Sequence, residues 1–148
     1  MKLTCEKHKN LMEAFLPNCT YKECFSTHGI DEFTLSHFLS GCIGRELFKK
    51  QSILVPFVLH LLWEYLETTK SMKHYMSANY LLNGSSIRYG GDTFMNCAVD
   101  NIAFLLGYYV QTIVQGHLLV LFALFWITWI WVITSSNKRF ALKKYKSV

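Results

Sequence analysis

Six residues set in apolar surroundings are able to do chemistry together: His37, Glu64, Glu67, Asp92, Asn96 and Asp100. Carboxylate and imidazole groups ligate divalent cations. They also exchange protons, because burial penalises the charged form of a carboxylic acid. A charged group inside a membrane helix is costly, so it marks a functional site by default and needs a partner. His60 and Arg45 form a second layer behind the six.

The spacing of these residues confines them to helix faces. His60, Glu64 and Glu67 follow one another at i, i+4 and i+7, which is a single stripe. Asp92, Asn96 and Asp100 follow at i, i+4 and i+8, a second stripe. Before them, Ser36, Ser40 and Gly44 make a row of small residues with His37 and Gly41 alongside. Small residues allow two helix backbones to approach closely, so His37 is expected to face a neighbouring helix.

Four helices must position these stripes: Phe33 to Phe48, Gln51 to Thr68, Asp92 to Gln111, and His117 to about Thr134. If they alternate in direction, the start of the first, the end of the second and the start of the third share one side. His37, Glu64 and Asn96 then each lie about 6 Å inside their helices at 1.5 Å per residue. On the same count His60 and Asp100 lie about 12 Å deep. Glu67 and Asp92 lie nearer the surface. Arg45 is deeper again, with Asp100 or Glu46 within its reach. Between the second and third helices, Met72, Tyr75, Met76 and Tyr80 recur at helical spacing, as in an amphipathic helix lying at an interface.

Composition places these helices in a membrane. Hydrophobic residues make up 51% of the 148 and aromatics 16%, which excludes a disordered chain. No Asp, Glu, Lys or Arg occurs between Asn101 and Asn137. That run exceeds the roughly 20 residues a span requires. Trp126, Trp129 and Trp131 cluster within it as in an interfacial aromatic belt. Lys138, Arg139, Lys143, Lys144 and Lys146 follow it. A basic tail beside a span predicts a cytosolic end and contact with anionic membrane lipids. The net charge of +5 is explained by this tail, and no basic stripe interleaved with aromatics points to nucleic acid. The fold expected is all-α, an integral membrane bundle of about four transmembrane helices with both termini cytosolic. Residues 1–30 form a polar, cysteine-containing segment, 31–136 the bundle, and 137–148 the tail. Residues 1–14 carry six charged or histidine side chains and no apolar signal-peptide core.

Asp31-Glu32-Phe33-Thr34-Leu35-Ser36-His37 with Gly41, Trp63-Glu64 with Glu67, and Tyr89-Gly90-Gly91-Asp92 with Asn96, Asp100, Gly107 and Tyr108 carry a resemblance. Over about residues 28 to 110 the chain resembles an uncharacterised bacterial family of small multi-pass membrane proteins. That family is similar to the broader VanZ-like group, named for a protein associated with glycopeptide-antibiotic resistance. The resemblance implies a helical membrane fold with a shared polar site, and no particular chemistry. This chain has Ser40 where the family tends to show a second histidine, Thr68 where it shows asparagine, and polar residues where it begins with an extra membrane helix.

Other motifs are weaker. Cys5, His8, Cys19, Cys24 and His28 suit zinc by residue type, but their spacing fits no standard finger. A Cys19–Cys24 disulfide or free thiols are the alternatives. Cys42 and Cys97 are expected as small core residues. Asn18-Cys19-Thr20 and Asn83-Gly84-Ser85 match glycosylation acceptors, which a cytosolic placement leaves unused. Asp92 is expected to cap the third helix.

Three functions remain open. The first is an intramembrane site that binds a small polar or amphiphilic ligand such as a lipid headgroup, or an ion, a divalent metal among them. The second is a membrane-embedded enzyme acting on a lipid-linked substrate, with His37 as general acid or base and Glu64 and Asp92 holding a metal or orienting water. The third is a structural membrane protein that assembles with further copies or subunits through the small-residue face.

Overall fold

The computed structural model describes residues 12, 15, 28–31, 33–79 and 92–145. Within them the chain is helical, with no strand. The elements are α1 (Thr34–Leu47), α2 (Leu54–Glu67), α3 (Lys70–Asn79), α4 (Phe94–Val114) and α5 (Leu118–Tyr145). The four long helices fall where the apolar pattern placed them, and α3 occupies the connector.

Local chemistry explains the helix ends. Asp31 Oδ1 accepts from the backbone N–H of Phe33 at 2.7 Å and of Thr34 at 3.2 Å. The Thr34 hydroxyl accepts from Asp31 N–H in return at 3.0 Å, a reciprocal cap on the first turn of α1. Pro56 lies in the first turn of α2, where a missing N–H leaves no helical bond unmade. The cap of α4 is Thr93 and not Asp92: its hydroxyl accepts from Asn96 N–H at 3.2 Å. α4 continues past Gln111 to Val114 and stops where Gln115 turns left-handed at φ 50°. The Gln111 side chain closes the turn by donating to the Gly116 carbonyl at 2.9 Å. The α5 backbone stays helical to residue 145, so most of the basic tail prolongs it.

Long-range contacts set the helix directions. Asp31 meets Asn96, Cys42 meets Gly107, and Glu46 meets Gln111, each pair 65 residues apart. A constant offset means that α1 and α4 run parallel, side by side. α2 runs the other way, since Pro56 lies near Gly44 while Glu64 lies at His37. α5 is also antiparallel to α1, with Leu121 packed on Cys42 and Ile43, and Trp129 against Phe33 at 5.5 Å between ring centres.

The α1–α4 crossing is a backbone contact. A Cβ on Gly41 would overlap the Phe104 carbonyl, and one on Gly107 would overlap the Phe38 carbonyl. The Cys42 thiol donates to the Gly107 carbonyl at 3.2 Å in the same place.

Polarity is inverted along α2 and in the first turns of α4. The buried residues of α2 are Pro56, His60, Glu64 and Glu67, whereas Leu54, Val55, Val58, Leu61, Leu62 and Tyr65 are exposed. Among the described residues the largest fully buried side chains are Asn96 and Asp100, while Ile102, Leu106, Tyr109, Ile113 and Val114 of the same helix face out. One helix, α4, is long and apolar enough to cross a membrane, and Leu118–Trp131 is a shorter apolar run. α1 and α2 have 14 residues each. That corresponds to about 21 Å of helix, short of the roughly 30 Å of a hydrocarbon core. The four full spans expected therefore reduce, by length and composition, to one helix among the described residues.

Gly41→Ala is expected to lose about 1–3 kcal/mol of stability, because the new methyl meets backbone that cannot rotate away. Gly44→Ala should lose less, since its Cβ would approach the side chain of Pro56 at 3.2 Å. Unfolding of the two variants compares them directly, and an equal loss would contradict the close crossing.

Candidate functional site

The antiparallel run of α2 against parallel α1 and α4 brings the two polar stripes to His37. His37 Nδ1 lies 3.2 Å from Glu64 Oε1, and its Nε2 lies 3.7 Å from Asp100 Oδ2. His60 Nε2 lies 3.4 Å from the same Glu64 oxygen. Glu64, Glu67 and Asp92 each offer an oxygen within 4.8 Å of the others. His37, Glu64, Glu67, Asp92 and Asp100 thus share one neighbourhood. His60 joins them directly, so the two layers counted along the helices form a single cluster. The His60 ring is stacked on Phe104 at 4.2 Å and 13°, which fixes its plane. The His37 and His60 rings stand nearly edge to face at 5.2 Å.

Asn96 connects the cluster to α1 by another route. Its side-chain amide donates to Asp31 Oδ2 at 3.2 Å. Asp31 is 8% exposed and had been no part of the expected site. Its signal was the Asp-x-x-Thr spacing at the start of the first helix, which reads only as a cap. Arg45 stands elsewhere. It donates to the Lys49 carbonyl at 3.4 Å, and its guanidinium carbon lies 5.8 Å from the centre of the Tyr108 ring. Glu46 accepts from Gln111 at 2.9 Å and not from Arg45.

The cluster is deeply buried and under-satisfied. Glu64 is 2% exposed, and neither of its carboxylate oxygens has an aligned hydrogen bond. The same holds for His60 Nε2, Asp100 Oδ1 and Asn96 Oδ1. Buried polar groups are normally paired, so a cluster of unpaired atoms requires an explanation such as an ion, water or ligand. Glu64, Glu67, Asp92 and Asp100 set four carboxyl groups against two imidazoles. His37, His60 and Glu64 could together hold a metal, as could Glu64, Glu67 and Asp92.

A cavity of about 510 Å³ opens beside the cluster, between α1, α2 and α5. Its walls are mainly apolar: Phe33, Ile43, Pro56, Leu59, Trp63, Phe104, Phe122, Phe125, Trp126 and Trp129. Ser36, Ser40, His37, His60, Glu67 and Asp92 give it one polar region. Leu59, Trp63, Phe122 and Trp126 are exposed, so the cavity reaches the outer surface of the bundle.

Cys97 stands at this site, beside Glu64, and its carbonyl accepts from Asn101 at 2.7 Å. The other sequence candidates fall apart from it: Cys42 is buried in the apolar core. Of the N-terminal Cys/His set, His28 is buried, whereas Cys5, His8, Cys19 and Cys24 lie outside the described residues. Asn18, Asn83, Gly90 and Gly91 also lie outside them.

The chain is similar to a UPF0314 protein of Brucella anthropi. The two are 30% identical over 108 residues, which is 68% of this chain and 53% of that protein. The chain therefore spans about half the length of the curated relative it matches. This similarity supports kinship with an uncharacterised bacterial family. No protein-family model matches the chain, and no solved structure does.

Three substitutions probe the cluster. Asp31→Ala and Asn96→Ala are expected to be coupled by about 0.5–3 kcal/mol in a double-mutant cycle, because they remove the same buried bond. In chelator-stripped protein Glu64→Gln should leave the melting temperature unchanged or raise it, since it removes a carboxylate from an acid-rich pocket. A fall of several degrees on Glu64→Gln would make Glu64 a structural residue.

Proposed function

We propose that this chain is a membrane protein that binds a small amphiphilic molecule. The apolar part of that molecule lies in the cavity between α1, α2 and α5, and its polar headgroup meets His37, His60, Glu67 and Asp92. The observation that carries this reading is the cavity's division into apolar walls and one acidic, imidazole-bearing region. Its volume lies within the roughly 300–1,000 Å³ of small-molecule sites. A lipid headgroup or a free ion fits the polar end, whereas the aromatic walls favour a molecule with a chain.

The membrane setting is supported by the exposed apolar faces of α2, α4 and α5. Soluble monomers rarely expose contiguous apolar patches beyond a few hundred Å². A bilayer would cover these faces, and the short helices α1 and α2 would sit within it beside α4. The basic end of α5 then lies on the cytosolic side, and both termini with it. The likeness to VanZ-like membrane proteins agrees with this placement. Membrane lipids are the partners of the apolar faces in this reading, and it includes no nucleic acid.

A second reading is a membrane-embedded enzyme acting on a lipid-linked substrate. It draws on two imidazoles lining the cavity that would hold the substrate. His37 would serve as the general acid or base. Assembly with further copies through small residues is a third role, and the α1 glycines best suited to it already pack on α4.

The test is extraction and mass spectrometry of the purified chain. The protein should remain with membranes after alkaline carbonate washing and carry a co-purifying amphiphile in detergent. Ser40→Phe, which projects a ring into the cavity, should reduce that amphiphile at least several-fold without unfolding the protein. Retention of the same amphiphile by a folded Ser40→Phe protein would sink the cavity reading.

A further inference from the structure

We infer that His37, His60 and Glu64 bind one tetrahedral transition-metal cation of the Zn2+ class, with its fourth position open to the amphiphile cavity. The inference deepens the amphiphile reading by naming what would grip the headgroup, and it rests on that reading only for the fourth ligand.

The two distances to Glu64 match the edges of a tetrahedral site. Tetrahedral zinc binds nitrogen and oxygen at about 2.0–2.2 Å. Two ligands of one such ion are then separated by about 3.3 Å, the edge of the tetrahedron. Here His37 Nδ1 and His60 Nε2 lie 3.2 and 3.4 Å from Glu64 Oε1. Each of the three residues offers one ligand atom within 4.8 Å of the others.

Burial and pairing point the same way. Glu64 is 2% exposed and His60 6% exposed. His60 Nε2 and both Glu64 oxygens have no aligned hydrogen bond, although the imidazole nitrogens of His37 and His60 stand 3.2 and 3.4 Å from Glu64 Oε1. A cation between them satisfies all three at once. The surroundings are also those of a metal site. A histidine ligand usually gives its other ring N–H to a carboxylate. His37 bound through Nδ1 leaves Nε2 directed to Asp100 Oδ2 at 3.7 Å. The stack of His60 on Phe104 holds the second ring in place.

Donor chemistry selects the metal class. Two imidazoles and one carboxylate suit Zn2+ and its neighbours, whereas an all-oxygen set suits Mg2+ or Ca2+. Glu64, Glu67 and Asp92 form such an all-oxygen set next to it. Three protein ligands leave one position vacant, the pattern of zinc sites that take a water or substrate oxygen. His37 and His60 line the cavity, so that position faces it.

The test titrates Co2+ into chelator-stripped full-length protein in detergent. One Co2+ per chain should give the intense visible bands of tetrahedral nitrogen–oxygen coordination, and Zn2+ should displace it. His60→Gln and Glu64→Gln should lose the bands, while Glu67→Gln and Asp92→Asn keep them. Asp100→Asn should weaken binding about 10–100-fold, the usual loss when a partner behind the ligands is removed. If His60→Gln does not fold, the native spectrum and Asp100→Asn decide. Weak octahedral bands, thiolate charge-transfer bands, no binding, or bands that follow Glu67 and Asp92 but not His60 would overturn the site. Mass spectrometry of the same preparations separates the two readings. Amphiphile without metal removes the cation site alone, and metal without amphiphile removes the cavity reading alone.

Discussion

The contact of α1 and α4 at Gly41 and Gly107 is the constraint on which the rest of the structure depends. Each glycine lets the opposite backbone approach to where a methyl group would stand. At that separation the two helices have no freedom to slide, and the offset of 65 residues is repeated from Asp31–Asn96 to Glu46–Gln111. His37 and Asp100 face one another because of it. α2 then lies antiparallel to the pair and brings Glu64 and His60 to the same imidazole. A slip of one residue would rotate the polar stripes by about 100° at 3.6 residues per turn and disperse the cluster.

The second feature is the inversion of polarity. A water-soluble bundle stabilises itself by burying leucine and valine. This one buries histidine, aspartate, glutamate and asparagine along α2 and α4, and turns the aliphatic side chains outward. Hydrogen bonds between membrane helices contribute about 0.6 kcal/mol each on average. Such a yield does not account for four carboxyl groups gathered around two imidazoles. Excess acid in a dry place costs stability unless something positive or hydrogen-bonding completes it. Close packing of α1 on α4 and the core of Cys42, Ile43 and Leu121 are independent of the cluster, so the scaffold can hold it in that state.

The cavity and the cluster make one arrangement and not two. His37 and His60 present one edge to Glu64 and belong to the cavity wall as well. The aromatic residues of α5 form the opposite wall, with Phe125 stacked on Trp129 at 5.9 Å. A chain lying against these rings would carry its headgroup to the acids without exposing them to bulk water. The family resemblance had pointed to a second histidine on the first helix. This chain has Ser40 there, and the second imidazole comes from His60 on α2.

Much of this was legible in the residues. Apolar periodicity located the first three long helices and the start of the fourth to within a few residues, but not the end of the fourth, which runs on to Tyr145; the i, i+4, i+7 spacing put His60, Glu64 and Glu67 on one face. Alternating helix direction was enough to bring His37, Glu64 and Asp92 to one end. Periodicity says which face a side chain occupies, but not which neighbour it meets or how far it reaches. For that reason Asp31 was left out of the expected site although it is the partner of Asn96, Arg45 turned toward Tyr108, and Thr93 took the capping role expected of Asp92. The merging of two expected layers into one also lay beyond the sequence. It follows from the glycine contact, which sets helix separation, and from side-chain lengths that span one turn once the backbones are that close.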